Sequence, residues 1–590
     1  MENRQLITLK RQFRFGEQGY TLIKYMFFIY CFRNAGIDYP KYSEADTLKN
    51  NKDKRLKEIL KFANEKVGEI FNKLNHKEAD LFALSIKSFS YFSITGSGMN
   101  SALLTVESMT NKEIRDFIVN ESGYSGERDD YGTPLSLVKL AQKILNPNNK
   151  EGQWSDLACY KGNYLVEVAK EYPHSPMIHG YEINFNASFL ARMRLYLSGC
   201  DKYDVYETDT LTSNPIPMDD FAFIDIPHNL SLKESNRRDI LLDNKYIQDI
   251  PMSRTANWVF VDRLAQALNK TGRGVALILD SCLSNNIDIK ERKAFIDRNM
   301  VEGVIRLPSS IFQYFDVPVS MLVLNNCKTS TDIKFLDASE MKTQGRRFAE
   351  VDYDLVAEQY FSESVIRVAL EDVQTNGYSL NTKQYTNAKD IVIKNPESLE
   401  NVIEDIFRGL QISASEIDEL SSNEEGDQYK LISVGDLQDG SFYLEKLQKI
   451  ASTKKYDRYL IKEGDILLSG KSTRIKSSIV DSIGDEKILA TGSLIVIRCD
   501  KEKVNPVYLK TFFDSVTGLK LLESIQTGSA IISINVTALC KLPYPKVDKA
   551  LQDKVATTFL IQLDQLKLAK QKISKLEESI STIFDSIVEE

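Results

Sequence analysis

A chain of 590 residues is too long for one hydrophobic core and predicts three or four domains. Its 42% hydrophobic and 27% charged residues exclude a disordered or fibrous protein. The net charge of −8 argues against nucleic-acid binding by the chain taken as one body, but charge has to be read domain by domain.

Residues 1–118 predict a helical domain. LKEILKFANEKVGEIFNKL (56–74) repeats its apolar residues at three- and four-residue steps. The most apolar early run, YMFFIYCF (25–32), is too short to cross a bilayer and reads as a core helix. No membrane contact is therefore expected, and the localisation expected is cytoplasmic. Seven scattered cysteines without a CxxC pair fit reduced thiols, and four histidines give no metal-ligand spacing, so no metal is expected.

Residues 119–345 alternate short apolar runs with helical stretches. The runs are WSDLACY (154–160), MIHGYEI (177–183), DDFAFIDI (219–226), GVALILDS (274–281), VEGVIRL (301–307) and VSMLVLN (319–325). PLSLVKLAQKIL (134–145) and ASFLARMRLYLSG (187–199) carry the helical spacing. This alternation predicts a doubly wound, Rossmann-like α/β sheet, in which ligands sit at the carboxyl ends of the strands. Residues 346–428 are expected to form a helical connector, helical over 346–405, that leads to an acidic linker with six acids and no base over 416–427.

Residues 429–547 predict a β-rich domain, with strand candidates at 457–469, 476–483 and 492–499. Over 446–476, nine Lys/Arg face three acids, a basic stretch hidden by the global charge. Residues 548–590 predict one long helix. Phe559, Gln562, Leu566, Ala569, Ile573, Leu576, Ile580, Ile583 and Ile587 follow 3,4 spacing, a coiled-coil seam with one polar position. The seam fits either a helical partner or a helix packed on its own domain.

Acids mark the ends of the α/β strands. Asp156 leaves the first and precedes a turn at Gly162; Glu182 ends the second, where a carboxylate can accept from ribose hydroxyls; Asp209 and Asp225 follow the next two. One such acid is most often a helix cap. Four in one α/β unit point to a ligand site.

Over most of residues 1–390 the chain resembles the modification subunit of type I restriction enzymes. The resemblance is carried by YGTPLSLVKLAQKIL (131–145), IHGYEINFNASFLARMRLYLSGC (178–200), VEGVIRLPSSIFQYFDVPVSMLVLN (301–325) and NGYSLNTKQY (376–385). It implies S-adenosyl-L-methionine as cofactor and the adenine amino nitrogen of DNA as target. Thr133 and Pro134 match the start of the helix over the cofactor; Asp156, Gly162, Glu182 and Asp209 would contact the cofactor. Two motifs depart. The family's DPACGSGGFL loop is here DLACYKGNYL, with Tyr160 and Lys161 for Gly-Ser and Asn163 for a glycine. A tyrosine held left-handed costs about 1–2 kcal/mol, and its ring is expected to fill ligand space. The catalytic Asn/Asp-Pro-Pro-aromatic tetrapeptide is here Asp225-Ile226-Pro227-His228. Asp225 and Pro227 hold the family's positions; Ile226 loses a rigid turn, and His228 is a weaker stacking face for a flipped base.

Residues 406–590 resemble one half of the family's specificity subunit: a single DNA target-recognition domain and its spacer helix. LISVGDLQDG (431–440), LIKEGDILLSGKSTRIKSS (460–478), ATGSLIVIRC (490–499) and TGSAIISINVTALCKLPYP (527–545) carry it. Lys454, Lys455, Arg458, Lys471, Arg474 and Lys476 are the expected contacts to double-stranded DNA. Because such subunits carry two recognition domains and two helices, the resemblance implies a homodimer through 559–587. The leading expectation is a sequence-directed DNA-binding protein of a restriction-modification or anti-phage system with a degenerate adenine methyltransferase domain. The alternatives are an active adenine methyltransferase, or an assembly subunit. No nuclease or helicase motif is present, so cleavage would need partner chains.

Overall fold

The computed structural model describes residues 17–44, 52–89, 97–120, 132–212, 216–228, 230–232, 245–247, 256–309, 311–312, 317–344, 349–386, 391, 393–421, 428–438, 441–472, 474–527 and 532–582. Tyr131, residues 422–427 of the acidic linker, and Ile583 and Ile587 of the seam lie outside them. The chain divides into two compact units, residues 1–380 and 381–590.

The first unit opens with helices α1 (Glu17–Asn34), α2 (Lys52–Glu65), α3 (Val67–Lys73), α4 (His76–Lys87), α5 (Ser97–Ser108) and α6 (Asn111–Asn120). In α1, Tyr25, Met26, Phe27, Phe28, Ile29, Cys31 and Phe32 are all buried. A helix apolar all round is stable only when enclosed, and here the other helices enclose it. The expected single stretch 56–74 breaks at Lys66 into α2 and α3.

The α/β part follows as α7 (Leu135–Leu145), β1 (Trp154–Asp156), α8 (Asn163–Glu171), β2 (Ile178–Glu182), α9 (Phe185–Leu197), β3 (Tyr203–Glu207), β4 (Asp219–Asp225), α10 (Asn257–Gln266), β5 (Leu268–Leu279), α11 (Ile289–Ile296), β6 (Val301–Arg306), β7 (Val319–Asn325) and β8 (Ile333–Asp337). A hairpin, β9 (Lys342–Gln344) and β10 (Ala349–Val351), then α12 (Tyr353–Phe361), β11 (Ile366–Val368) and α13 (Leu370–Thr375) close the unit. The nine-stranded sheet has the order β11-β8-β6-β7-β5-β4-β1-β2-β3. From β3 through β5 it is parallel, and β7 runs against both β5 and β6. β1, β6 and β7 are buried nearly end to end, as expected of strands covered on both faces. The chain order reverses between β1 and β4, and that switch point creates a crevice outside the strand ends.

The connector expected to be helical over 346–405 is mixed instead. β10 and β11 belong to the first unit, and β11 extends the large sheet through β8. The second unit begins with α14 (Thr382–Thr386), β12 (Pro396–Ser398) and β13 (Ile403–Arg408); β13 pairs with a core strand over most of its length. Leu399 and Val402 are buried in that core, so apolar anchoring, not helical spacing, governs this segment.

The second unit continues with α15 (Ala414–Ser421), β14 (Gln428–Ile432), β15 (Gln448–Ala451), β16 (Ile466–Ser469), β17 (Lys471–Ser472), β18 (Ser477–Ile479), β19 (Ile488–Ala490), β20 (Leu494–Cys499), α16 (Pro506–Asp514), α17 (Val516–Ser524), β21 (Gln526–Thr527), β22 (Ile532–Ile534), α18 (Val536–Cys540), β23 (Pro543–Pro545) and α19 (Lys549–Thr582). Of the strand expected over 457–469 only 466–469 is strand. A 3-10 turn (Lys454–Tyr459) and a left-handed Gly464 (φ 87°) occupy the rest. In α19, Gln552, Ala556 and Leu563 are buried, whereas Leu566, Ile573, Leu576 and Ile580 are 44–67% exposed.

Candidate functional site at the sheet's switch point

A cavity of about 500 Å³ lies at the carboxyl ends of β1, β2, β4 and β5. Three carboxyl groups line it: Asp156, Glu182 and Asp225. Burial pushes the Asp156 carboxyl well above the usual carboxylate range, and the nearby Asp225 and Glu182 push it further. Burial raises Glu182 as well, although backbone N–H groups of Asn184 and Tyr160 donate to its two oxygens at 2.7 and 2.9 Å. A carboxylate offers about four acceptor positions, so Glu182 retains room for hydroxyl donors. The Tyr164 hydroxyl, also at the cavity, is buried with no hydrogen-bond partner.

The loop between β1 and α8 is held from two sides. Tyr160 stands at φ 47° and Gly162 at φ 76°, so the tyrosine adopts the left-handed conformation expected to cost it energy. A Cβ on Gly162 would come within 2.9 Å of the Ala191 Cβ on α9. Below the loop, the buried Arg194 of α9 donates to the Lys161 carbonyl and, at 2.8 Å, to the Asn163 side chain. Its Nε and Nη2 donate to the Val119 carbonyl at the end of α6. Lys161, buried itself, places its ammonium 5.0 Å from the Tyr160 ring centre and 5.8 Å from that of Tyr20 on α1. The Tyr160 ring was expected to fill the ligand space; it lines the cavity, and the cavity stays open.

At the other corner, β4 ends on Asp225. Thr133 Oγ1 donates to its Oδ2 at 2.7 Å, yet burial dominates and pushes the carboxyl up to about 7. Ile226 is buried and Pro227 exposed. Burial pushes the His228 imidazole down to about 4, so it is neutral near pH 7; its ring meets Phe312 edge-on at 5.8 Å.

Of the residues expected at the site, Thr133, Asp156, Glu182, Asp225, Pro227 and His228 line one cavity. Pro134, Gly162 and Asp209 do not. Pro134 starts α7, its carbonyl accepting from Val138. Gly162 shapes the loop. Asp209 accepts from Leu211 N at 2.9 Å and lies outside the residues that line this cavity. Lys161, Asn163, Tyr164, Leu279, Phe312 and Val317 also line the cavity without having been singled out as ligand contacts. Phe312 was legible in principle: it lies between β6 and the reversed β7, and that connection must return at the same sheet edge.

S-Adenosylmethionine carries a sulfonium, an ammonium and one carboxylate. The three uncompensated carboxyls, the single lysine among the described lining residues and the orphaned Tyr164 hydroxyl fit a ligand of that charge. No described group of His, Cys, Asp or Glu side chains is arranged to hold a metal ion, and no described helix is long and apolar enough to cross a membrane.

In the second unit, Lys454, Lys455 and Arg458 are exposed on the 3-10 turn. Lys455 and Arg458 lie over their neighbouring rings, Tyr456 and Tyr459, each at 4.7 Å. Lys471 and Arg474 are exposed at β17 and beyond it. Lys476 is exposed too, but its ammonium donates to the Leu437 and Val434 carbonyls at 3.1 and 3.4 Å.

Fold and cavity define an α/β domain resembling S-adenosylmethionine-dependent methyltransferases. Residues 113–393 match the family described as N-6 DNA Methylase. Over 286 residues the chain is 27% identical to the "Type I restriction enzyme MjaVII methylase subunit" of Methanocaldococcus jannaschii, covering 43% of this chain and 48% of that protein. It is 22% identical over 346 residues to the "Type I restriction enzyme MpnII methylase subunit" of Mycoplasma pneumoniae, covering 50% and 62%. The chain thus spans about half the length of the curated relatives it matches. Among solved structures, a type I restriction-modification system methyltransferase subunit from Streptococcus thermophilus aligns at 16% identity and a TM-score of 0.48, covering 65% of this chain and 97% of that one.

Proposed function

We propose that the chain is a DNA-binding protein of the restriction-modification kind, whose methyltransferase-like domain binds S-adenosylmethionine and acts as a scaffold or sensor instead of an efficient methylase. One observation carries this reading: a single cavity joins an intact acid-lined corner to an altered Asp225-Ile226-Pro227-His228 corner. The bound cofactor would supply the methyl group. Asp156 and Glu182 would hold its cationic and hydroxyl-bearing parts, with Thr133 at the base side. Asp225, near half-protonated at pH 7, is a poor acceptor for an amino proton, and His228 is a poor stacking face.

A second reading is favoured by the same aspartate. Above pH 7 Asp225 is ionised and remains in the cavity, which would support a slow adenine methyltransferase whose rate rises through about pH 7.

The second unit is proposed to read double-stranded DNA through Lys454, Lys455, Arg458, Lys471 and Arg474, with Lys476 bracing the 470–476 loop. The apolar stripe of α19 continues, exposed, beyond the last buried position at Leu563, which supports homodimer pairing through that helix. Nuclease or helicase chains are proposed as partners, because the chain carries no such motif and its relatives are named as subunits of restriction enzymes. Fluorescence anisotropy of a labelled duplex tests the DNA reading. Salt-dependent binding should survive Asp225→Ala and weaken at least tenfold in Lys471→Ala/Arg474→Ala, and absence of binding at low salt would leave only an assembly role.

A further inference from the structure

β5 pairs with β7 from Arg273↔Asn325 to Leu279↔Val319. Leu279 lines the cavity just described, so the Arg273 end lies six residues of strand away, about 20 Å. At that far edge is a second cavity, of about 320 Å³. Four cations from four segments line it: Arg273 on β5, Lys328 in the turn after β7, Lys334 on β8 and Arg367 on β11. Glu302 on β6 and Asp332 are its two acids, leaving an excess of two positive charges.

The acids do not spend themselves on all four cations. Glu302 is buried, and both its oxygens accept from Arg273 Nη2 at 2.7 Å. It also accepts from Asn325 at 2.8 Å, Lys334 at 3.0 Å and Tyr360 at 3.3 Å. Burial opposes its ionisation, but Arg273 and Lys334 hold it below the usual carboxylate range. This network fixes Arg273 and Lys334 in place, and the Phe361 ring lies beneath both at 5.5 and 5.2 Å. Lys328 is different. It is half-buried, and its ammonium donates to a neutral group, the Asn299 side-chain oxygen, at 2.9 Å. Burial pushes it down to about 8; Glu302 and Asp332 pull it up and Lys334 pushes it down. Arg367 is exposed at the rim. A rigid guanidinium and two ammonium groups converging on a small polar cavity, with a second guanidinium at its mouth, match a compact polyanion.

We propose that this cavity binds the phosphate or pyrophosphate group of a small molecule. It is separate from the methyl-donor cavity and does not depend on the function proposed for that cavity. Its size admits a pyrophosphate group, and its residues come from the far sheet edge alone.

Calorimetry on the full chain at low salt, with inorganic pyrophosphate as probe, should find one site per chain. Lys328→Met should weaken it about tenfold, and Arg367→Gln about threefold, both without lowering the melting temperature of the free protein. Sulfate keeps its charge from pH 6 to 9, so its binding should weaken as pH rises through about 8 in the wild type but not in Lys328→Met. No pyrophosphate binding, or binding unchanged by either variant, overturns the proposal. Duplex DNA weakened by Lys328→Met while pyrophosphate fails to bind overturns it in favour of a backbone contact. Equal weakening of both probes is also against it, because a compact site selects the small anion.

Discussion

The cavity's two corners have changed in different ways. At the β1–α8 corner the residues differ from the expected loop, but the backbone has kept its shape: Tyr160 takes the left-handed conformation and Gly162 still sits against Ala191. At the β4 corner the backbone ends a strand on Asp225, and Ile226 and His228 stand where the expected tetrapeptide has a proline and an aromatic residue. The loop is over-determined by packing, with Arg194 beneath it and α9 beside it, so a substituted residue must adopt the loop's conformation. At the β4 corner, Ile226 is buried and the His228 ring meets Phe312 edge-on.

This contrast can be broken first at Arg194. Arg194→Met removes a buried cation that donates to the Val119 and Lys161 carbonyls and to the Asn163 side chain. It should cost about 3–5 kcal/mol by denaturant unfolding and abolish cofactor binding. Gly162→Ala forces a Cβ into Ala191 at a positive φ and should cost about 2 kcal/mol, with weaker cofactor binding. Tyr160→Gly sharpens the comparison from the other side. Relieved strain and greater unfolded-state freedom nearly cancel, so stability should change by less than about 1 kcal/mol, while S-adenosylmethionine should bind about tenfold tighter in calorimetry.

The β4 corner answers to pH. Asp225 has a folded-state pKa of about 7, above its ordinary value, so the folded state holds this proton more tightly than the unfolded one. Its contribution to stability is therefore complete below the ordinary carboxylate range, declines as pH rises toward 7 and is flat above. Thermal unfolding of wild type should show a steeper loss of stability between pH 5 and 7 than Asp225→Asn. Glu182 is also raised by burial, in both proteins, and drops out of the difference; Asp156 loses the push from Asp225 in Asp225→Asn, which widens the difference in the same direction.

Much of this was legible in sequence, for physical reasons that can be named. Strands enclosed on both faces need continuous apolar runs, so β1, β2 and β4 to β7 were visible as such runs, and the acids at the ends of β1, β2 and β4 marked the cavity. Asp209 follows a strand as the other acids do, but its bond to Leu211 N ties it to the turn after β3, outside the residues that line the cavity. Residues 346–405 misled because short edge strands such as β11, and β13 with its anchor at Leu399 and Val402, are set by distant partners, β8 and β20, that no local periodicity reports. The cations of the second cavity are spread over residues 273–367, so only the strand order β11-β8-β6-β7-β5 brings them together.

Retained binding without efficient transfer is the central claim, and one sample can test both halves. Methyl-labelled S-adenosylmethionine is incubated with the full chain and duplex DNA, and the label is then counted on the protein by equilibrium dialysis and on the DNA after digestion. The account predicts saturable label on the protein that Glu182→Ala removes, and none on adenine. Stoichiometric label on the adenine amino nitrogen, lost in Asp225→Ala, would contradict it.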